Sequence, residues 1–295
     1  MSEVTALAGQ EVADLEDLAR RARVNIVKSI AHAKGGHMGG PLSAVDMLIA
    51  LYFSVMDIRP DEPDWSDRDR FVLSKGHSSI ALYTTLAMRG YFPTDELKTF
   101  DAIDSRLQGH PDMTMTPGVD MSSGSLGLGF TGGLGIALGA RAAGKGFTTY
   151  IMLGDGECNE GSVWEGAHAT SRYALDNVVA IVDHNKLQQF GWHGETVEER
   201  LPSYTGSQLA DRWAAFDWKV LEMDGHDMAD ILATLKEAKA SEDGPVAIIA
   251  HTIKGKGVSF MEGDYKWHAR VPDAEEFELA MAELGESGHG EGGAA

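Results

Sequence analysis

Apolar positions recur at helical spacing between residues 11 and 34, where Leu15, Leu18, Ala22, Ile26 and Ile30 mark one face of an amphipathic helix. Gly35 and Gly36 stop that helix. A second helical stretch is expected over 42–55, entered through Pro41, and a third over 79–89. Residues 57–70 are polar and rich in Asp and Pro, so they read as a loop leading to the short strand Arg70-Phe71-Val72-Leu73. Thr94 to Leu97 carries a capping pattern for a short helix. Residues 104–123 have little apolar periodicity and read as an ordered loop, whereas 124–143, rich in Gly and Ala, read as a tightly packed helix.

Beyond that point short apolar runs alternate with helical ones. Strands are expected over 148–153, 178–182, 218–222 and 245–250, with helices over 160–173 and 227–240 between them. Strands alternating with helices predict an α/β fold built on a doubly wound parallel sheet. Residues 186–210 form a long connection carrying Leu187, Phe190, Trp192 and Tyr204, a length that inside a compact domain is usually functional. The expected organisation is one domain over 1–284 followed by a disordered Gly-rich tail over 285–295.

Composition narrows the function. The 295-residue chain is 43% hydrophobic, enough for a sizeable core, and carries a net charge of −20. That acidity opposes binding to nucleic acid or to an anionic membrane surface. Its single cysteine, Cys158, excludes an intrachain disulfide and points to a reducing, cytoplasmic compartment. No neighbouring base activates Cys158, so it reads as a packing residue. The acidic amino terminus lacks the pattern of a signal peptide, and no apolar run reaches the about 18 residues of a membrane span.

The most specific chemistry lies at two strand ends. Gly154-Asp155-Gly156 follows one apolar run, and Asn185 follows the next. Neighbouring parallel strands would bring a carboxylate and an amide oxygen to the sheet edge where open α/β folds bind ligands. Hard oxygen donors of that kind suit Mg²⁺ held against a diphosphate. Three histidines, His37, His77 and His110, each stand in a loop flanked by Gly or Pro. Gly127 to Gly132 spells the dinucleotide pattern GxGxxG, but the run before it makes a poor strand, so close helix packing is the better reading. Lys254-Gly255-Lys256-Gly257 is either a phosphate contact or a solvated turn.

The Gly154-Asp155-Gly156 turn and the later asparagine loop resemble the thiamine-diphosphate signature. Several further segments resemble transketolase in order: Gly35 to Pro41, Leu73 to Ser79, Gln108 to Pro111 and Ser122 to Gly127. The resemblance runs from about residue 15 to 270. It implies the thiamine-diphosphate-binding fold, with Asp155, Asn185 and the carbonyl of Leu187 as ligands of Mg²⁺, or of Ca²⁺ or Mn²⁺ in its place. It implies cofactor contacts from His77, Ser125, Leu126, Gly127, Gly154, Asp155, Gly156, Glu157 and Asn185. His37, His77 and His110 would line the substrate channel, joined by His268, whose match is looser because Ala269 stands where a glycine is common. Glu160 would lie at a subunit interface.

In transketolases the glutamate that activates the cofactor comes from a separate pyrimidine-binding domain. The resemblance therefore implies the amino-terminal subunit of a split enzyme. Its carboxy-terminal partner would carry the pyrimidine-binding and C-terminal domains, and the two would form a two-plus-two heterotetramer acting on sugar phosphates. Two other readings stay open on sequence. One is a related thiamine-diphosphate enzyme, a 1-deoxyxylulose-phosphate synthase or a 2-oxo-acid dehydrogenase component; the other is a non-catalytic binding protein of the same fold.

Overall fold

A computed structural model describes residues 3–189 and 206–286. Five strands form one sheet in the order β1-β2-β3-β5-β4. They are β1 (Arg70–Leu73), β2 (Thr149–Gly154), β3 (Val178–His184), β4 (Lys219–Asp224) and β5 (Val246–His251), and every neighbouring pair is parallel. Parallel strands need crossovers, supplied here by α3 (Ser79–Arg89) and α4 (Leu128–Ala142) between β1 and β2, α5 (Gly161–Arg172) between β2 and β3, α6 (Gly206–Ala215) between β3 and β4, and α7 (Met228–Lys239) between β4 and β5. Helices α1 (Glu3–Ala33) and α2 (Gly39–Ala50) precede β1, and α8 (Ala274–Glu283) follows β5.

Alternation along each strand divides the core into two. Phe71, Tyr150, Met152, Val179, Ile181 and Ile248 pack with α1, α2, α3, α7 and α8 on one face. Val72, Ile151, Leu153, Ala180, Val182 and Ile249 pack with α4, α5 and α6 on the other. Strands buried on both faces explain the continuous apolar runs in the sequence. The doubly wound α/β expectation holds.

Boundaries moved where local chemistry outweighed periodicity. Helix α2 starts at Gly39, which puts Pro41 in its first turn, where no intrahelical N–H is needed. It ends in a π-turn over Leu51–Val55. Helix α4 starts at Leu128, because Gly127 caps it in the left-handed region at φ 82°. Thr94–Thr99 is a 3₁₀ helix. Strand β3 runs on through Asp183 and His184, so Asn185 follows its last residue directly. Helices α6 and α8 were not expected. Leu209 and Trp213, one turn apart on α6, are fully buried. Asp273 and Glu276 form a capping box at the start of α8. Phe190, Trp192 and Tyr204 lie outside the described residues, as does the tail beyond Glu286.

The run before Gly127 is a loop, and the glycines that follow it serve packing. A Cβ at Gly129 would stand 2.6 Å from the Cα of Ser74. Gly129→Ala is therefore expected to push α4 away from the end of β1 and to destabilise the chain by about 1–3 kcal/mol, read as a lower urea midpoint. An unchanged midpoint would refute this close approach.

Candidate active site

Loops at the carboxyl ends of β1, β2, β3 and β5 surround a cavity of about 430 Å³. Its lining includes His37, His77, Asp155, Asn185, Lys254 and His268. This is the edge where parallel sheets of this kind place ligands. Backbone bonds knit the walls together. Gly255 donates to the carbonyl of Gly39 at 3.0 Å, and Met38 to that of His268 at 3.3 Å.

Beneath the cavity lies an ion pair that spacing alone did not reveal. Lys75, just past β1, donates to Asp183 in β3, and both side chains are at most 1% exposed. Lys75 also reaches the carbonyl of Gly40 at 3.2 Å. Ser43 donates to Asp183 at 2.7 Å, and Thr252 donates to its other oxygen. The Lys75 ammonium, with these hydroxyls, outweighs burial and holds the Asp183 carboxyl below its ordinary range. A lysine in a strand-end segment and an acid ending an apolar strand were the signals available in the sequence.

Asp155 is almost wholly buried. Its oxygens accept N–H bonds from Gly156 and Lys186, each at 2.7 Å. Among the described residues no cation forms an ion pair with it. Burial, then the neighbouring charge of Asp183, pushes its carboxyl up to about 6. A buried carboxylate without an ion-pair partner among the described residues matches the hard-oxygen chemistry of Mg²⁺ and its relatives. The Asn185 side-chain oxygen accepts from Leu187 N–H at 3.3 Å. Leu187 itself is buried and is not among the cavity-lining residues. The loop is held in unusual conformations, with φ 69° at Lys186, 43° at Gln188 and 75° at Gln189.

Glu157 borders the cavity, but its carboxylate acts as a staple. One oxygen accepts from Ser74 and from Gly127 N–H at 2.8 Å, and the other accepts from Gly154 N–H at 3.1 Å. Burial still raises its pKa. Leu126 lines the cavity, while Ser125 is exposed and Gly127 is buried. Glu160 is exposed at the start of α5, outside the cavity lining and beside Gly127.

Three of the four histidines cluster closely. The His37 ring lies 5.2 Å from His77 and 5.1 Å from His268, and His77 lies 5.2 Å from His268. His110 stands further out, exposed and 6.2 Å from His37. Burial, then Lys75, pushes His77 well below the imidazole range. Burial, then His110 and Lys254, lowers His37 against the opposing pull of Asp101. Burial and then Lys254 push His268 down to about 3. The cluster is therefore neutral near pH 7, with hydrogen-bond donors and acceptors but no fixed charge. Lys254 Nζ lies 2.9 Å from His268 Nδ1, which as the acceptor leaves the ring proton on Nε2. Burial, then the like charge of Lys75, lowers Lys254 to about 8.

No helix among the described residues is long and apolar enough to cross a membrane. Residues 15–290 match the family described as "Transketolase, thiamine diphosphate binding domain". The chain is 43% identical to one of the named subunits of the apulose-4-phosphate transketolase of Phocaeicola vulgatus, over 94% of this chain and 95% of that one. It is 40% identical to the 6-deoxy-6-sulfo-D-fructose transketolase subunit SqwG of a Clostridium species, over 93% and 98%. Transketolase from Leishmania mexicana superposes with a TM-score of 0.84 at 31% identity, over 95% of this chain but 42% of that longer one. The chain is thus similar in extent to the named subunits and spans less than half of the solved transketolase. With the oxygen donors and the histidine cluster at one sheet edge, these matches establish that the chain belongs to the transketolase family, as its thiamine diphosphate binding domain.

Proposed function

We propose that this chain is the amino-terminal subunit of a two-chain transketolase that moves a two-carbon ketol unit from a ketose phosphate to an aldose phosphate. The observation that carries the reading is the histidine-lined cavity beside the buried carboxylate of Asp155 at the carboxyl edge of the sheet. Similarity over nearly the full length of two proteins named as transketolase subunits supports a partner chain. That partner would supply the pyrimidine-binding and C-terminal domains in a two-plus-two complex, in the cytoplasm.

Asp155, Asn185 and the Leu187 carbonyl would hold Mg²⁺. His77, Gly127, Gly154, Gly156 and Glu157 would contact the cofactor, with the backbone of Ser125 and Leu126 against its aminopyrimidine side and Lys254 facing the negative charge of its diphosphate. Bound thiamine diphosphate supplies the electron sink for breaking and making a carbon–carbon bond. The chain's own histidines handle hydrogen bonds and protons. Neutral His37, His77 and His268 would orient substrate hydroxyls and accept or return protons, and His268 would offer its Nε2–H to a developing alkoxide. His110 would meet the sugar nearer the mouth. Glu160 would contact the neighbouring subunit.

The test is co-purification with a transketolase-like partner of about 300 residues, followed by ketol transfer assays. The donors would include pentulose and hexulose phosphates, apulose 4-phosphate and 6-deoxy-6-sulfofructose, the last two because relatives are named for them. Transfer that needs both chains, Mg²⁺ and thiamine diphosphate is the expected result. A complex that turns over pyruvate alone, or binds no cofactor, would overturn the proposal.

A further inference from the structure

We infer that Arg23 and His226 are positioning residues for Lys254, gripping the turn that carries it at both ends. The inference rests on the reading of Lys254 as a partner of the cofactor's diphosphate. A buried ammonium gains by swinging out to water, so its place in the cavity depends on backbone restraint. His226, in the turn after β4, accepts the Ile253 N–H on Nε2 at 2.8 Å. A ring nitrogen that accepts carries no proton, so Nδ1 bears it and donates to Asp46 of α2 at 2.7 Å.

Asp46 passes the restraint on. Arg23 of α1 holds both of its oxygens, at 2.8 and 2.5 Å. The same guanidinium sends its Nε–H to the carbonyl of Lys256 at 3.0 Å. The relay therefore ends on Ile253 at one side and Lys256 at the other, with Lys254 between them. Arg23, Asp46 and His226 have side chains at most 9% exposed, and none lines the cavity. Gly257 sits at φ 96°, and a Cβ there would stand 2.8 Å from Arg23 Cδ. Glycine at that point of the Lys-Gly-Lys-Gly motif leaves room for the guanidinium.

The experiment is a double-mutant cycle in the two-chain complex, measuring the KM for thiamine diphosphate and the kcat at saturating cofactor. The Kd for the cofactor, from titration calorimetry without sugar substrate, is expected to move in parallel with KM. His226→Ala is expected to raise that KM about tenfold, the scale for losing an outer-shell support, with little change in kcat. In a Lys254→Met background the same change is expected to add less than about twofold, because the group being positioned is gone. Should His226→Ala fail to fold, Arg23→Lys removes the other grip while keeping a charge for Asp46, and the same coupling is expected. A KM effect that persists undiminished in the Lys254→Met background, or no KM effect at all, would overturn the inference. Failure of the wild-type complex to bind cofactor would instead overturn the proposed function.

Discussion

Asp155→Asn is expected to make the isolated chain more stable and the two-chain complex inactive. In the native chain this carboxyl sits at about 6 against an ordinary 3.8, so ionising it at neutral pH costs about 3 kcal/mol. Asparagine removes that cost and gives up one of the two backbone N–H bonds, about 1 kcal/mol. The net gain is about 2 kcal/mol in urea unfolding without cofactor or metal. The sign with pH follows from a folded pKa raised above the unfolded one. The cost is full above about 6 and disappears below 3.8, so the advantage of asparagine shrinks as the solution is acidified through that window. Activity is expected to fall by more than about 100-fold, the upper end for losing a group one shell further from a metal. An asparagine variant that is less stable at neutral pH, or that stays active, would contradict this account.

Lys75→Met is expected to be among the most damaging single changes in the chain. It would leave Asp183 fully buried with only the hydroxyls of Ser43 and Thr252. Breaking a buried pair from one side costs about 3–5 kcal/mol. The double variant Lys75→Met/Asp183→Asn removes the stranded charge and is expected to recover more than half of the loss in chemical denaturation. Because the folded pKa of Asp183 lies below 3.8, the pair's contribution is present above that value and is lost as pH falls through the folded pKa. A double variant no more stable than Lys75→Met would show that packing, and not charge, dominates at this position.

Much of this site could be read from the chain because its key donors follow strands that announce themselves. Asp155 and Asn185 directly follow runs whose apolar character comes from burial on both faces, so their edge was fixed with the strands. The resemblance of their segments to those of transketolase placed His37 and His77 near that edge. Long-range pairing was not legible. Lys75 and Asp183 are separated by 108 positions, and Arg23 and Lys256 by 233. Neither charge carries a local mark of the partner that makes its burial tolerable. Helix α8 does carry a local mark, the capping box of Asp273 and Glu276, but Ala280 and Met281 are its only buried residues, too few to make a periodic stripe. The different depths of His77 and His110 likewise depend on how the loops close, which spacing along the chain does not encode.

The strand order imposes a schedule on synthesis. β1, β2 and β3 are made in the order in which they lie side by side, so each finds its neighbour as it emerges. Among the described residues β4 pairs only with β5, which is made later and lies between it and β3. A nascent chain that has just completed β4 therefore holds a strand with no neighbour to join, an exposed edge of the kind that invites wrong pairing. β5 closes that gap, and the turn bearing Lys254 follows within a few residues. The last of the described strands thus both seals the sheet and brings Lys254 to the pocket, so a product stalled before it would carry Asp155 and Lys75 without the Lys254 wall.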